Sequence, residues 1–264
     1  MYRNALRALL ARGEPAFGGW CTIGSPFAAE ILGHEGYDYI CIDCQHGLIH
    51  ADGMWPMLQA VRATGATPVV RVPCNVTAWP GKALDAGAEA VIVPMVNSRE
   101  EAERAAAACR YAPEGERSFG PVRSGLLLGD HPPAVNREVM CLVMIETVRA
   151  VEAADEICST PGVDGVYVGP ADLAVSMSGS LAAMGSREHT DAIEEVRRAC
   201  ARYSIVAGIH TGGGAAGRAY AEAGFQMCTL GTDASLLRAA ARHERAVARG
   251  LTGAADEAPK GANR

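Results

Sequence analysis

The sequence predicts an α/β protein in which eight strand–helix units close into a barrel. Eight short apolar, β-branched runs are bounded by Gly, Pro and Asp, and Ala-rich helical patterns lie between them. Eight such units in a chain of 264 residues match the (β/α)₈ TIM barrel in number and in length. A doubly wound open sheet is the alternative, but no GxGxxG follows the first strand to favour it.

The order of these elements predicts one domain. The strands are predicted at 18–22, 37–43, 68–72, 90–93, 141–145, 165–168, 205–209 and 226–230. The clearest helices are predicted at 98–110, 148–158, 191–203, 214–223 and 233–249. An extra N-terminal helix is predicted over 1–12. We therefore expect a single barrel domain over residues 1–250 and a disordered, polar tail over 251–264.

One long connection, residues 111–139, interrupts this regular alternation before the fifth strand. Loops of this length in compact domains are usually functional. We expect the connection to cover the barrel mouth or to contact a neighbouring subunit. Arg123 within it is a candidate for the distal end of a substrate or for a subunit contact.

Composition excludes several classes of function. The net charge is −6 and no sustained basic run is present, so a nucleic-acid partner is not expected. No apolar stretch is long enough to span a bilayer and the N-terminus lacks a secretory signal, so we expect a soluble, cytoplasmic protein without a membrane partner. Most of the nine cysteines lie in apolar runs, which predicts core thiols, and Cys41-x-x-Cys44 lacks the second pair of a structural zinc site.

Polar side chains fall where the predicted strands end. In a barrel of this type the active site lies at the C-terminal ends of the strands, so these side chains are expected on one rim. Each alone has a structural explanation, as a helix cap, a buried histidine or an ion-pair donor, and their joint placement favours a catalytic site. They are Gln45 and His46 after the second strand, Arg71 in the third, Glu146 after the fifth, 169–172 after the sixth and His210 after the seventh.

The two carboxylates predict a metal cofactor. Glu146 and Asp172 supply hard oxygen ligands, which favour Mg²⁺ or Mn²⁺ over zinc. With two protein ligands, an octahedral ion keeps positions for water and for a chelating substrate. We expect a divalent metal ion, Mg²⁺ or Mn²⁺, with Co²⁺ and Zn²⁺ as alternatives.

A glycine-rich segment, 210–217, follows the seventh strand and has two interpretations. At a helix N-terminus it can hold a phosphate or carboxylate, which makes His210 a substrate-binding candidate. The three consecutive glycines can equally serve a tight turn between strand and helix.

The blocks YDYICIDCQHG, TPVVRVP, MIET, GVDGVYVGPADL and GFQMCTLGTD, in this order, resemble the HpcH/HpaI aldolase family of metal-dependent (class II) pyruvate aldolases. That family is related to macrophomate synthase and to citrate lyase β-type enzymes. The resemblance covers nearly the whole chain. It implies that Glu146 and Asp172 bind the metal and that His46 is the general base. It further implies that Arg71 stabilises a pyruvate enolate and that Asp85 raises the basicity of the histidine.

The resemblance also implies a substrate-binding turn and shows two departures. Ala171, with Gly169 and Pro170, matches the turn whose backbone meets the substrate carboxylate. Met144 stands where studied members often have Gln, so a thioether replaces a hydrogen-bond donor. Gln45 stands where many relatives have an acid. Both residues are substrate-binding candidates whose identity leaves the choice of substrate open.

The resulting hypothesis is a carbon–carbon lyase. It reversibly cleaves a 4-hydroxy-2-oxo acid to pyruvate, or a related 2-oxo acid, plus an aldehyde through a metal-stabilised enolate. Its alternatives are an oxaloacetate decarboxylase or macrophomate-synthase-like condensing enzyme, a thioester lyase of the citrate lyase β type, and an inactive barrel serving as an assembly subunit. A Schiff-base route is disfavoured because Lys82 and Lys260 lie on a predicted helix and in the tail.

The resemblance implies a homo-oligomer, commonly a hexamer in which C-terminal helices are exchanged. The predicted helix 233–249 has an apolar face that suits such an exchange or packing on its own barrel. This face consists of Leu236, Leu237, Ala240 and Val247.

Overall fold

The computed structural model describes residues 3–251, and their parallel strands close in sequence order into one eight-stranded barrel. The predicted (β/α)₈ TIM-barrel fold is therefore confirmed. The strand β7 ends two residues later than predicted and so includes His210. The strands are β1 Ala16–Cys21, β2 Tyr39–Asp43, β3 Thr67–Arg71, β4 Ala90–Val93, β5 Met140–Ile145, β6 Gly165–Val168, β7 Val206–Thr211 and β8 Met227–Thr232.

Helices surround the barrel, and the predicted N-terminal helix is present as the first of them. They are α1 Ala5–Ala11, α2 Pro26–His34, α3 Ala51–Arg62, α4 Ala78–Asp85, α5 Arg99–Cys109, α6 Ser124–Leu128, α7 Pro132–Glu138, α8 Val148–Glu152, α9 Ala154–Cys158, α10 Pro170–Ser178, α11 Arg187–Arg202, α12 Gly214–Glu222 and α13 Asp233–Ala248. A 3₁₀ turn spans Leu181–Ala183.

Two predictions about these helices were wrong. The predicted helix 148–158 is two short helices, because the chain bends at Ala153 between α8 and α9. The connection 111–139 is not a plain loop, since it contains α6 and α7. Pro132 begins α7, where a proline costs no hydrogen bond, and this helix start was not recognised in the sequence.

Apolar side chains form two cores. One lies between the barrel and its helices, and the other fills the barrel interior with Trp20, Tyr39, Tyr167 and smaller residues. Tyr39 fits inside because Gly18 has no side chain: a Cβ there would overlap the tyrosine ring. The interior is therefore packed solid beneath the rim, as expected of this fold.

The first helix covers the N-terminal end of the barrel. Leu6 and Leu10 of α1 join the interior cluster. Arg7 donates to Asp164 at 2.6 Å, and Arg110 donates to the other oxygen of that carboxylate at 2.5 Å. The bottom of the barrel is thereby sealed, and chemistry is left to the opposite end.

The connection 111–139 leaves α5 and enters β5, so both of its ends lie at the N-terminal end of the barrel. Arg123 donates to the carbonyl oxygen of Ala86 at 2.7 Å, where the chain leaves α4 towards β4. Arg123 thus lies away from the mouth of its own barrel, which does not favour a substrate contact there. A contact with a neighbouring subunit stays a prediction.

The last described helix is anchored only at its start. Asp233 accepts hydrogen bonds from the backbone of Thr22 at 2.8 Å and of Ile23 at 3.1 Å. Asp233 is the one buried residue of α13, and Leu237 is 63% exposed. The apolar face of α13 therefore does not pack on its own barrel. The tail predicted over 251–264 lies outside the described residues apart from Leu251.

No helix within residues 3–251 combines the length and the apolar character that a bilayer crossing requires.

We expect Leu237→Glu to shift the protein to a smaller assembly. An exposed apolar helix face of this kind marks a contact between proteins, and a buried charge would disfavour that contact. Light scattering coupled to size exclusion measures the mass. Arg242→Glu is the control, because exposed Arg242 lies on the opposite side of the helix from this face. A Leu237→Glu variant with unchanged mass would contradict a role of this face in assembly.

Candidate active site

The ends of β2 and β3 bring an acid and a guanidinium together. Asp43 and Arg71 are direct partners in the parallel ladder. Arg71 Nε and Nη2 donate to the two carboxylate oxygens of Asp43 at 2.9 and 2.6 Å. Burial alone would raise the pKa of Asp43, but the hydrogen bonds and charge of Arg71 outweigh it and hold that pKa below its usual value. Both groups are therefore charged at neutral pH.

Asp43 also organises its surroundings. Trp20 Nε1 donates to Asp43 at 3.1 Å, and the Trp20 ring lies 5.0 Å from the guanidinium carbon of Arg71. The backbone N–H groups of Gln45 and His46 donate to Asp43 at 3.0 and 3.2 Å. These bonds fix the start of the loop after β2 and leave the His46 side chain exposed at the mouth.

The end of β5 carries Glu146, which is buried and half-satisfied. Its Oε1 accepts a hydrogen bond from the backbone N–H of Met95 at 2.7 Å. Its Oε2 is buried without a hydrogen-bond partner. A buried carboxylate oxygen without a partner is costly, so its persistence points to a ligand.

Met95 reaches Glu146 through an unusual backbone conformation. Its φ is 57°, a left-handed value that non-glycine residues rarely adopt. The neighbouring Val96 N–H donates to Met144 O at 3.2 Å, and the Asn97 side chain donates to Met95 O at 2.8 Å. These hydrogen bonds hold the loop after β4 on both sides of Met95. A left-handed backbone at a non-glycine residue is strained, and such strain is typical of functional sites.

Asp172 stands beside Glu146, in the first turn of α10 after β6. The pKa of Glu146 is raised to about 7, chiefly by burial and to a smaller extent by the charge of Asp172, against the opposing effects of the Met95 hydrogen bond and the charge of Arg71. The turn approaches Glu146 closely, because a Cβ on Gly169 would lie 2.5 Å from Oε2. The exposed carboxylate of Asp172 thus lies near enough to the buried carboxylate of Glu146 to act on it.

This donor set fits a divalent cation. A cation beside Glu146 Oε2 and Asp172 would satisfy the unpartnered oxygen and remove the repulsion that raises the pKa. Within the described chain no cluster of three or more His, Cys, Asp or Glu side chains could hold a metal. Glu146 and Asp172 as two carboxylate ligands stay a prediction that this donor set fits, and such an ion would keep its other positions for water and substrate.

Met144 and His210 face the Arg71 side of the site. Met144 is buried, and its sulfur lies 4.0 Å from Arg71 Nη1. A thioether is a weak acceptor, so Nη1 remains available to an anionic oxygen. The ring of His210 meets Trp20 edge-on, with centroids 5.0 Å apart. Burial and the charge of Arg71 lower the pKa of His210 to about 4, so it is neutral at pH 7.

Asp85 is paired elsewhere within this chain, and its implied support of His46 stays a prediction. It lies at the C-terminal end of α4 and accepts a hydrogen bond at 2.6 Å from Arg117, whose side chain is fully buried. The described hydrogen bonds contain none between Asp85 and His46. Within this chain Asp85 therefore pairs with Arg117 of the connection 111–139 and not with His46.

Three residues of the site were given no role by sequence reasoning. Asp43 ends the second strand and could have been assigned a cationic partner, because an acid that directly ends a buried strand needs one. Trp20 follows two glycines in β1, a pattern that signals core rather than a hydrogen bond to Asp43. Met95 acts through its backbone, for which no side-chain pattern exists.

We expect Asp43→Asn to lower the free energy of unfolding by about 3 kcal/mol at pH 7, because Arg71 keeps a buried charge without its counterion. Since the pKa of Asp43 is depressed on folding, its contribution is present above the unfolded value and is lost as the pH falls through the folded one. Urea unfolding of both proteins between pH 7 and 3 should show the difference shrinking below pH 4. A difference that is constant across this range would contradict the ion-pair assignment.

Comparison with known proteins agrees with this geometry. The family model described as HpcH/HpaI aldolase/citrate lyase matches residues 17–240. A hydroxypyruvate/pyruvate aldolase of Rhizorhabdus wittichii is 39% identical over 250 residues, which cover 94% of this chain and all of the relative. A 5-keto-4-deoxy-D-glucarate aldolase of Escherichia coli is 32% identical over 246 residues, covering 91% of this chain and 94% of that protein.

A solved structure has the same fold. The crystal structure of an HpcH/HpaI aldolase/citrate lyase family protein from Burkholderia cenocepacia J2315 superimposes with a TM-score of 0.88 at 34% identity. The match covers 93% of this chain and 99% of that one. The predicted family and the predicted class of enzyme, an aldolase-type lyase, are confirmed, and this chain belongs to the HpcH/HpaI aldolase/citrate lyase family.

Proposed function

We propose that this protein is a metal-dependent aldolase that cleaves a 4-hydroxy-2-oxo acid to pyruvate, or a closely related 2-oxo acid, and an aldehyde. The observation that carries the proposal is the buried, unpartnered Oε2 of Glu146 beside Asp172. It lies on the same rim as Arg71, which ends β3, and His46, which follows β2. A divalent ion held there supplies Lewis acidity towards a 2-oxo acid, and Mg²⁺ or Mn²⁺ suits the two carboxylates best.

Arg71 stabilises the negative oxygen of the enolate. Its Nε and Nη2 are committed to Asp43, which fixes the plane of the guanidinium. Nη1 faces Met144 and keeps a donor for the substrate. Preorganised donors aimed at developing charge are each worth about 3 kcal/mol of transition-state stabilisation.

His46 carries the proton. Its backbone is fixed by Asp43 and its side chain opens to the mouth. It takes the proton of the C4 hydroxyl during cleavage and returns one to C3 of the enolate when the 2-oxo acid leaves. Since Asp85 is bonded to Arg117, His46 acts here without that acid as a direct partner.

The start of α10 receives the substrate carboxylate. Gly169 caps the helix without a side chain, and Pro170 begins it. The N–H groups of Ala171 and Asp172 fall in the first turn, where a helix has no internal acceptors. This anion site lies next to the metal ligands, so one 2-oxo acid can reach both.

The relatives support the choice of substrate. Hydroxypyruvate and pyruvate appear in the name of the aldolase that is 39% identical, and both are small 2-oxo acids. Met144 offers no donor to a substituent at C3, so the site tolerates pyruvate and hydroxypyruvate alike. A homo-oligomer, a hexamer by family resemblance, fits the exposed face of α13.

Removal of divalent ions should abolish pyruvate release, and Mn²⁺ or Mg²⁺ should restore it. Glu146→Gln should lower kcat/KM by at least about 100-fold even with metal present, because a neutral amide weakens the ion's hold. Glu152→Gln is the matched control, since Glu152 is exposed on the neighbouring helix α8. Full activity after chelation, or in the Glu146 variant, would end the proposal.

A substrate panel tests the reaction type. We expect metal-dependent aldol addition when pyruvate or hydroxypyruvate is offered with simple and acidic aldehydes, followed by product analysis. Oxaloacetate in the same assay reports decarboxylation through the same enolate. Carbon dioxide release from oxaloacetate without any aldol turnover would favour a decarboxylase over an aldolase.

A further inference from the structure

A buried histidine outside the site contacts the turn that carries Asp172. His189 lies in the first turn of α11 and is 3% exposed. Its Nε2 is 2.8 Å from the carbonyl oxygen of Pro170. Its Nδ1 accepts a hydrogen bond from the backbone N–H of Gly185 at 3.4 Å.

These two contacts define the state of the ring. A carbonyl oxygen can only accept, so Nε2 carries the proton and donates to Pro170. Gly185 donates, so Nδ1 is the unprotonated nitrogen. The imidazole is therefore neutral. It donates one hydrogen bond to α10 and accepts one from the turn before α11.

The contact falls on the segment that sets the distance between the two carboxylates. Pro170 begins α10, and Asp172 follows in the same turn. On its other side this segment lies against Glu146, because Gly169 has no side chain to keep the two apart. The 169–172 turn is thus held between Glu146 on one side and His189 on the other.

We propose that His189 is a positioning residue that fixes the first turn of α10, and with it the placement of Asp172 and of the Ala171 N–H relative to Glu146. The proposal rests on the proposed function in that it names these groups as metal and carboxylate ligands. His189 does not touch the substrate. It acts through the Pro170 carbonyl, as outer-shell partners commonly orient ligands.

Two conservative variants separate the ring nitrogens. His189→Gln can place its amide nitrogen near the position of Nε2 and keep the bond to Pro170. His189→Asn is one methylene shorter, so its polar atoms fall near the position of Nδ1 and do not reach Pro170. Both variants are polar and similar in size, so a general loss of packing affects them alike.

The first measurement is Mn²⁺ affinity of the metal-free protein by calorimetry. His189→Asn should weaken binding about tenfold, and His189→Gln should stay close to wild type. Thr190→Val is the control, because it removes a hydrogen bond to Ser186 in the same turn of α11 without touching α10. Equal affinity in both His189 variants, whether unchanged or equally weakened, would overturn the proposal.

The second measurement needs no metal. Hydrogen exchange of a peptide spanning 169–178 should be faster in His189→Asn than in His189→Gln, because the first turn of α10 loses its outside support. Unchanged exchange in the Asn variant also overturns the positioning role. Failure of the wild-type protein to bind Mn²⁺ would instead count against the proposed function, and the exchange data would still decide the role of His189.

Discussion

The paired charges of Asp43 and Arg71 are the constraint on which the rest of the rim depends. They are ladder partners at the ends of adjacent parallel strands, so the barrel itself brings them together. A buried guanidinium needs an anion, and Asp43 supplies one with good geometry. The same carboxylate holds the Trp20 indole and the start of the His46 loop. One acid therefore fixes the direction of Arg71 and the start of the loop that carries His46.

The opposite half of the rim is built on a buried carboxylate without a counterion. Burial, and to a smaller extent the charge of Asp172, raises the pKa of Glu146, and the Met95 N–H and the charge of Arg71 oppose this effect. The fold keeps Glu146 there through a strained backbone at Met95 and a glycine at position 169. A cation bound there, as proposed, would offset the cost of this arrangement and so couple metal binding to local stability.

The fold and the polar residues at the strand ends could be predicted from the sequence. The periodicity of apolar residues predicts the fold, and the position of a residue directly after a strand places it on the rim. Eight apolar runs gave the barrel, and the first polar residue after β5 gave Glu146. The sequence was insufficient where the deciding contact joins distant segments. The pairing of Asp85 with Arg117 crosses 32 positions, and the contact of His189 with Pro170 crosses 19. The role of Met95 depends on a backbone angle that no residue pattern encodes.

The two ends of the barrel explain why Asp85 pairs with Arg117 and why Arg123 lies far from the mouth of its own barrel. Connections that lead from a helix to the next strand return to the N-terminal end, so the segment 111–139 begins and ends there. Two of its arginines contact the end of α4: Arg117 donates to Asp85, and Arg123 donates to the Ala86 carbonyl oxygen. Connections that lead from a strand to a helix end on the other face, and these carry His46, Met95, Glu146 and Asp172. Chain direction alone thus separates the residues that stabilise the barrel from those that can meet a substrate.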